Sequence, residues 1–166
     1  MTKFIDKLAK VASAISGGIL VAMVGFILFE ILLRSAFSAS TYVLDEFVGY
    51  GVAIMTFLSF SAALRSGTFI RVNLLIGSLN GRFRRLLEVV FCAGGAVLFS
   101  YISFYLGRVV LRNFDRGTTS NSIAEVPLWI PQSLMLLGVG LLVLQFVSLT
   151  IQYLRGAPIL DSAEEL

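Results

Sequence analysis

The chain has 166 residues, of which 57% are hydrophobic and 14% charged, whereas about a quarter of the residues of a soluble domain are charged. Its net charge of +3 comes from 13 basic residues that flank apolar runs, a distribution that does not form a nucleic-acid-binding face. With no histidine and one cysteine, Cys92, the chain cannot form an internal disulfide or a histidine–cysteine metal site. We expect one membrane domain, residues 1–166, with no metal and no cofactor.

Four apolar runs predict transmembrane helices at about residues 11–33, 47–64, 86–107 and 128–154. The second run is the clearest, because Phe47 to Leu64 carries no charge and would form a helix of about 27 Å, close to the ~30 Å hydrocarbon layer of a bilayer. The first run is too long for a signal peptide, so we expect it to be retained. The sequence therefore predicts an all-α membrane protein with four transmembrane helices.

Small residues recur every four positions in two of these helices. The rows are Ala14, Gly18 and Ala22 in helix one and Cys92, Ala96 and Ser100 in helix three. Such rows let helix backbones approach closely in lipid. For helix one we favour packing within the protein over a face for another protein. Helix two is also rich in small residues, so we expect it to have the most contact with its neighbours.

Glu30 is the one charge within the first apolar run. Arg34 lies four residues later on the same helix face, near the helix end. We therefore favour an interfacial ion pair over a proton-coupling or ion-coupling site. Glu88, predicted in the first turn of helix three and four residues after Arg84, is also interpreted as structural.

The residues between helices two and three are strongly basic. Residues 65–85 contain five arginines and no acid, and Phe69 to Ile76 mixes apolar and polar residues. This pattern predicts a short amphipathic segment at the membrane interface. With the N-terminus inside, nine basic residues lie inside and four outside. The positive-inside rule therefore predicts that both termini are cytoplasmic.

The connection between helices three and four carries boundary signals at both ends. Arg108 and Arg112 are one helical turn apart, which predicts that helix three continues to about Phe114. Pro127 suits a first helical position, and Trp129 suits the interfacial aromatic belt. We therefore place the start of helix four at these residues.

Residue patterns typical of catalysis are absent from the sequence. It contains no glycine-rich phosphate loop, metal-ligand cluster or nucleophile–base arrangement, so we do not expect an enzyme. Its two halves share one orientation, whereas many carriers use inverted repeats with broken helices. A membrane subunit that binds a partner is therefore favoured, and a self-sufficient four-helix homo-oligomeric channel or small exporter remains the alternative.

The order of these features resembles the small membrane subunit, of DctQ type, of the tripartite ATP-independent periplasmic (TRAP) transporters. The residues that carry the resemblance are Arg34, Asp45 and Glu46, the run from Ala62 to Leu75 with Arg65, Gly67, Arg71 and Asn73, and the stretch from Ser120 through Pro127 and Trp129 to Gly138. The chain departs from the family at Tyr42-Val43, where a tryptophan is usual, at Phe69 in place of a histidine, and at Asn73 in place of an aspartate.

This resemblance implies a four-helix scaffold of a bacterial inner membrane, in contact with membrane lipids. It would form a stable heterodimer with a large sodium-coupled transport subunit. A separate periplasmic protein would bind an organic acid, such as a C4-dicarboxylate or a sugar acid, and deliver it to the pair. The matched residues are then candidates for the partner interface or for structural roles, and none is expected to be catalytic or to bind a cofactor.

Overall fold

The computed structural model describes residues 2–66 and 81–155. They form four α-helices: α1 Thr2–Phe37, α2 Leu44–Arg65, α3 Gly81–Asp115 and α4 Trp129–Leu154. All four are long and apolar enough to cross a membrane, and the described residues contain no β-strand. The predicted all-α architecture with four spanning helices is confirmed. The predicted amphipathic segment lies outside the described residues, and the orientation in the membrane stays a prediction.

Two helices are much longer than the apolar runs that predict them. α1 begins at Thr2 instead of residue 11, and α3 covers 35 residues from Gly81 to Asp115. Hydropathy marks only the part of a helix that lies in lipid, and lysine and arginine are good helix formers that continue the helix beyond it. α3 does reach Asp115, as the spacing of Arg108 and Arg112 predicts. Glu88 consequently lies about two turns into α3 and not in its first turn.

The helices pack in the spatial order α1, α2, α4, α3. α1 packs on α2, α2 on α4, and α4 on α3, with a smaller contact between α1 and α4. Of the most apolar 18 residues of each helix, 39% are buried in α4, 22% in α2 and 6% in α3. The expectation that helix two has the most contact is therefore wrong. α4 is the most buried because it packs against all three other helices, whereas α2 packs mainly against α1 and α4.

The main apolar core lies around the inner face of α4. Its buried members are Leu64, Cys92, Leu142, Phe146, Leu149 and Tyr153. Glycine is needed where backbones meet: a Cβ atom on Gly138 would lie 2.7 Å from the carbonyl carbon of Phe57 and 2.9 Å from the nitrogen of Leu58. α2 and α4 can therefore approach this closely only because residue 138 has no side chain.

The two rows of small residues lie in different surroundings. In α3, Cys92 is 1% exposed in the core, and Ala96 packs against that core. In α1, all three residues of the row are exposed, and a Cβ atom on Gly18 would have nothing within 4 Å. The preference for packing the α1 row within the protein is therefore wrong. α1 instead packs through another face, which contains Ala12, Ser16 and Met23.

Candidate functional site

Glu30 holds the connection between α1 and α2 against the end of α1. Its carboxylate accepts hydrogen bonds from Arg34 Nε at 2.9 Å, from the Ser40 hydroxyl at 2.5 Å and from the Thr41 hydroxyl at 2.7 Å. The backbone N–H of Thr41 donates to the same carboxylate at 3.2 Å. The Glu30 side chain is 1% exposed and that of Arg34 is 58% exposed. The predicted ion pair is present, and the two hydroxyl residues extend it into a capping network.

This network depends on an unusual backbone path. Ser38 and Tyr42, on either side of the residues that bind Glu30, have positive φ angles of 52° and 58°. The left-handed region costs a non-glycine residue roughly 1–2 kcal/mol. The hydrogen bonds to Glu30 offset this cost, because they hold Ser40 and Thr41 in the tight connection between the two helices.

Glu46 anchors the other connection at the same end of the bundle. It lies in the first turn of α2 and accepts hydrogen bonds from Tyr50 Oη at 2.7 Å and from the Ser122 hydroxyl. Ser122 belongs to the connection between α3 and α4, 76 residues away in sequence. The Ser120 and Ser122 hydroxyls are themselves 3.1 Å apart. One carboxylate thereby ties residues 116–128 to the start of α2.

The connection between α3 and α4 also has its own internal structure. Thr119 and Pro127 form an isolated antiparallel bridge, and the backbone N–H of Leu128 donates to Thr118 at 3.0 Å. Across the helix ends, Asn113 Nδ2 donates to Gln132 Oε1 at 2.7 Å. The ring of Trp129 meets that of Phe114 edge to face at 5.3 Å. Pro127 and Trp129 therefore close the junction of α3 and α4.

A second polar cluster lies at the opposite end, where α1 begins and where α2 and α4 end. Asp6 Oδ1 is 3.2 Å from Arg65 Nε and accepts a hydrogen bond from Gln145 Nε2 at 3.4 Å. Arg65 also donates to Gln152 Oε1 at 3.4 Å. Gln145 is fully buried, and its Oε1 has no hydrogen-bond partner among the described residues. The cluster joins α1, α2 and α4 directly.

The structure places the six candidate residues that it describes at separate ends of the bundle. Arg34, Asp45, Glu46, Pro127 and Trp129 lie at the end with the two helix connections, and Arg65 lies at the opposite end. Gly67, Arg71 and Asn73 lie outside the described residues. Asp45 is exposed at the start of α2. The described candidates therefore do not converge on one site, and within residues 2–66 and 81–155 no group of acids and cysteines could hold a metal ion.

Sequence reasoning missed the partners of these residues. Asp6, Gln145 and Gln152 complete the cluster at Arg65, and Ser40, Thr41 and Ser122 complete those at Glu30 and Glu46. Gln145 and Gln152 did carry a signal. They are seven residues apart, which places them on one face of an apolar helix, and buried amides in such helices commonly hydrogen-bond across to another helix.

A comparison with known protein families assigns the chain to a family independently of the structure. Residues 23–156 match the family described as tripartite ATP-independent periplasmic transporters, DctQ component. No curated protein and no solved structure gives a significant match. The matched region includes Glu30, Glu46, Arg65 and the whole of α3 and α4. This chain therefore belongs to the DctQ family, the small component of the TRAP transporters.

Proposed function

We propose that this chain is a non-catalytic scaffold for the large, sodium-coupled membrane subunit of a TRAP transporter. In this role the pair imports an organic acid, such as a C4-dicarboxylate or a sugar acid, which a periplasmic binding protein delivers. The complex lies in the inner membrane of a bacterium, with both termini of this chain in the cytoplasm. The small component then supplies a stable membrane surface on which the large subunit moves its substrate.

One observation carries the scaffold proposal: the acids in the described polar clusters are engaged by other side chains of the same chain. Glu30 is surrounded by Arg34, Ser40 and Thr41, and Glu46 by Tyr50 and Ser122. An ion-coupling site needs an acid whose oxygens can bind the ion or proton. Acids that instead hold helix connections in place stabilise a shape, which is what a scaffold requires.

The outer faces of α1 and α3 provide the apolar surface that such a scaffold needs. α3 contacts α4 along one side, and large residues such as Val97, Tyr101 and Phe104 are exposed on it. α1 presents its row of small residues outward. In a membrane these faces contact lipid or another protein, and small residues favour close contact between helices.

The test is transport by reconstituted vesicles under a sodium gradient. We expect no organic-acid uptake by this chain alone, and uptake when the large subunit and the binding protein are both added. Uptake or ion conduction by the chain alone would contradict the scaffold role and would favour the self-sufficient channel or exporter.

Variants of the connection end separate assembly from transport. Arg34→Ala and Glu46→Ala should weaken assembly with the large subunit and reduce uptake in proportion, because Arg34 is an exposed candidate for the partner interface and Glu46 holds the shape of that end. Arg116→Ala, at an exposed residue of the connection between α3 and α4, is the matched control and should assemble normally. An intact complex that has lost transport in either test variant would count against a purely structural role.

A further inference from the structure

A cavity of about 680 Å³ lies between α1 and α2, next to the cluster formed by Asp6 and Arg65. It exists because the facing residues are small: Ala9 and Ser13 on α1, and Ser59, Ala62 and Ala63 on α2. No large apolar side chain is among the described residues that line it. Charged and hydroxyl groups line this space together with the alanines.

Among the described residues that line the cavity, the charged ones are Lys10, Arg65 and Asp6. Two cations and one anion leave this described lining with one net positive charge. Arg65 contacts Asp6 and Gln152, and a guanidinium has more N–H donors than these two contacts use. Lys10 is exposed, so its ammonium group is accessible to a ligand. The lining therefore complements an anion that can also accept hydrogen bonds from serine hydroxyls.

The position of the cavity indicates where the anion comes from. α2 has 22 residues and ends at Arg65, and at ~1.5 Å per residue it spans about 33 Å, the thickness of the hydrocarbon layer. Arg65 and Lys10 therefore lie near the level of lipid phosphates, while the alanines of the cavity extend toward the apolar layer. Basic pockets between transmembrane helices are typical binding sites for anionic lipid head groups.

We propose that this cavity binds the phosphate head group of an anionic phospholipid. Lys10 and Arg65 neutralise the phosphate, Ser13 and Ser59 donate hydrogen bonds to it, and the alanines contact the glycerol and the first part of an acyl chain. A free inorganic phosphate would fill only a small part of 680 Å³ and would leave the apolar part of the cavity empty. The site is independent of the proposed transport role, because it needs only membrane insertion.

Native mass spectrometry of the purified full chain tests this site. The protein is released from nanodiscs that contain equal amounts of phosphatidylglycerol and phosphatidylcholine, and the bound lipids are counted. We expect phosphatidylglycerol to be retained in preference to phosphatidylcholine. Lys10→Gln should weaken this retention about fivefold, the effect typical of one basic residue near a membrane surface.

Two further variants keep the test falsifiable. Lys7→Gln removes the same charge one turn away, from an exposed residue that does not line the cavity, and should retain the lipid as the unmodified chain does. Ser59→Leu removes a hydroxyl donor and narrows the cavity with a branched side chain, without changing its charge, and should reduce retention, while circular dichroism shows an unchanged helix content. Equal losses in Lys10→Gln and Lys7→Gln, equal retention of the two lipids, or full lipid binding by Ser59→Leu would each overturn the proposal.

The remaining alternative is a soluble anion. Inorganic phosphate at millimolar concentration should not displace the retained phosphatidylglycerol. If phosphate displaced the lipid from the unmodified chain but not from Lys10→Gln, the cavity would recognise a free phosphate. This result would overturn the lipid assignment.

Discussion

The two ends of the bundle use polar side chains for different purposes. At the connection end, Glu30 and Glu46 each hold a connecting segment onto a helix. At the opposite end, Asp6, Arg65, Gln145 and Gln152 hold helix to helix directly. A carboxylate that accepts several hydrogen bonds from a tight turn determines how the chain turns between helices. A cluster of single contacts between helices instead adjusts how they pack.

The difference predicts different consequences when a side chain is removed. Loss of an anchor at the connection end should release a whole segment, because the carboxylate joins that segment to the helix. Loss of one contact at the opposite end should cost little, because the apolar cluster of Ala12, Ile54 and Leu58, with Met135 and Leu141 packed against it, holds the same helices together.

Replacement of Glu30 should have the largest effect. Glu30→Ala removes a buried acceptor of hydrogen bonds from Arg34, Ser40 and Thr41, and should lower the Tm of the chain in detergent by about 5–8 °C. Asp45→Ala, which removes an exposed acid from the start of α2, is the control and should leave Tm within about 2 °C. Equal Tm changes in the two variants would refute the anchoring role of Glu30.

Replacement of Glu46 should act locally. Glu46→Gln weakens the contact with Ser122 and should increase trypsin cleavage after Arg116 about tenfold, because that segment then opens more often. Cleavage after Arg155, at the other end of the bundle, serves as the internal reference and should not change. If cleavage at both arginines rose together, global unfolding rather than local release would be responsible.

The pair at the opposite end should show a weaker coupling. A double-mutant cycle with Asp6→Asn and Arg65→Gln should give a coupling free energy of about 1 kcal/mol, because both side chains are partly exposed, by 22% and 33%. Chemical unfolding of the four proteins in mixed micelles measures it. A coupling free energy as large as the loss of unfolding free energy caused by Glu30→Ala would mean that the two ends do not differ as proposed.

Replacement of Arg34 should have the smallest effect on stability. Its side chain is 58% exposed, so Arg34→Ala should cost at most about 0.5–1 kcal/mol. Ser40 and Thr41 still occupy the carboxylate of Glu30 in this variant. A Tm loss that matches Glu30→Ala would show that Arg34, and not the connection, is the main partner of Glu30.

Contacts between residues close in sequence were predictable, and contacts between distant residues were not. The pair of Glu30 and Arg34 follows from the helical repeat, because residues four apart share a face. The contribution of Ser40 and Thr41 depends on positive φ angles at Ser38 and Tyr42. Serine and tyrosine do not predict such angles. The contact between Asp6 and Gln145 spans 139 residues and depends on how α4 packs against the other helices.

Hydropathy predicted the four spans for a physical reason, since each crosses the same apolar layer. It could not predict the packing order, because lipid and protein interiors are equally apolar and select the same residues. The rows of α1 and α3 illustrate this limit. Both rows have the same four-residue spacing, but Gly18 lies on the outside of the bundle and Cys92 lies in its core.

We propose that this chain is the accessory subunit of a larger transporter. The most direct test is purification of a tagged copy from its native host in mild detergent, with mass spectrometry of the proteins that remain bound. We predict a large polytopic membrane subunit in a stoichiometric amount. Recovery of the chain alone, or only as a homo-oligomer, would contradict the claim and would favour the self-sufficient channel or exporter.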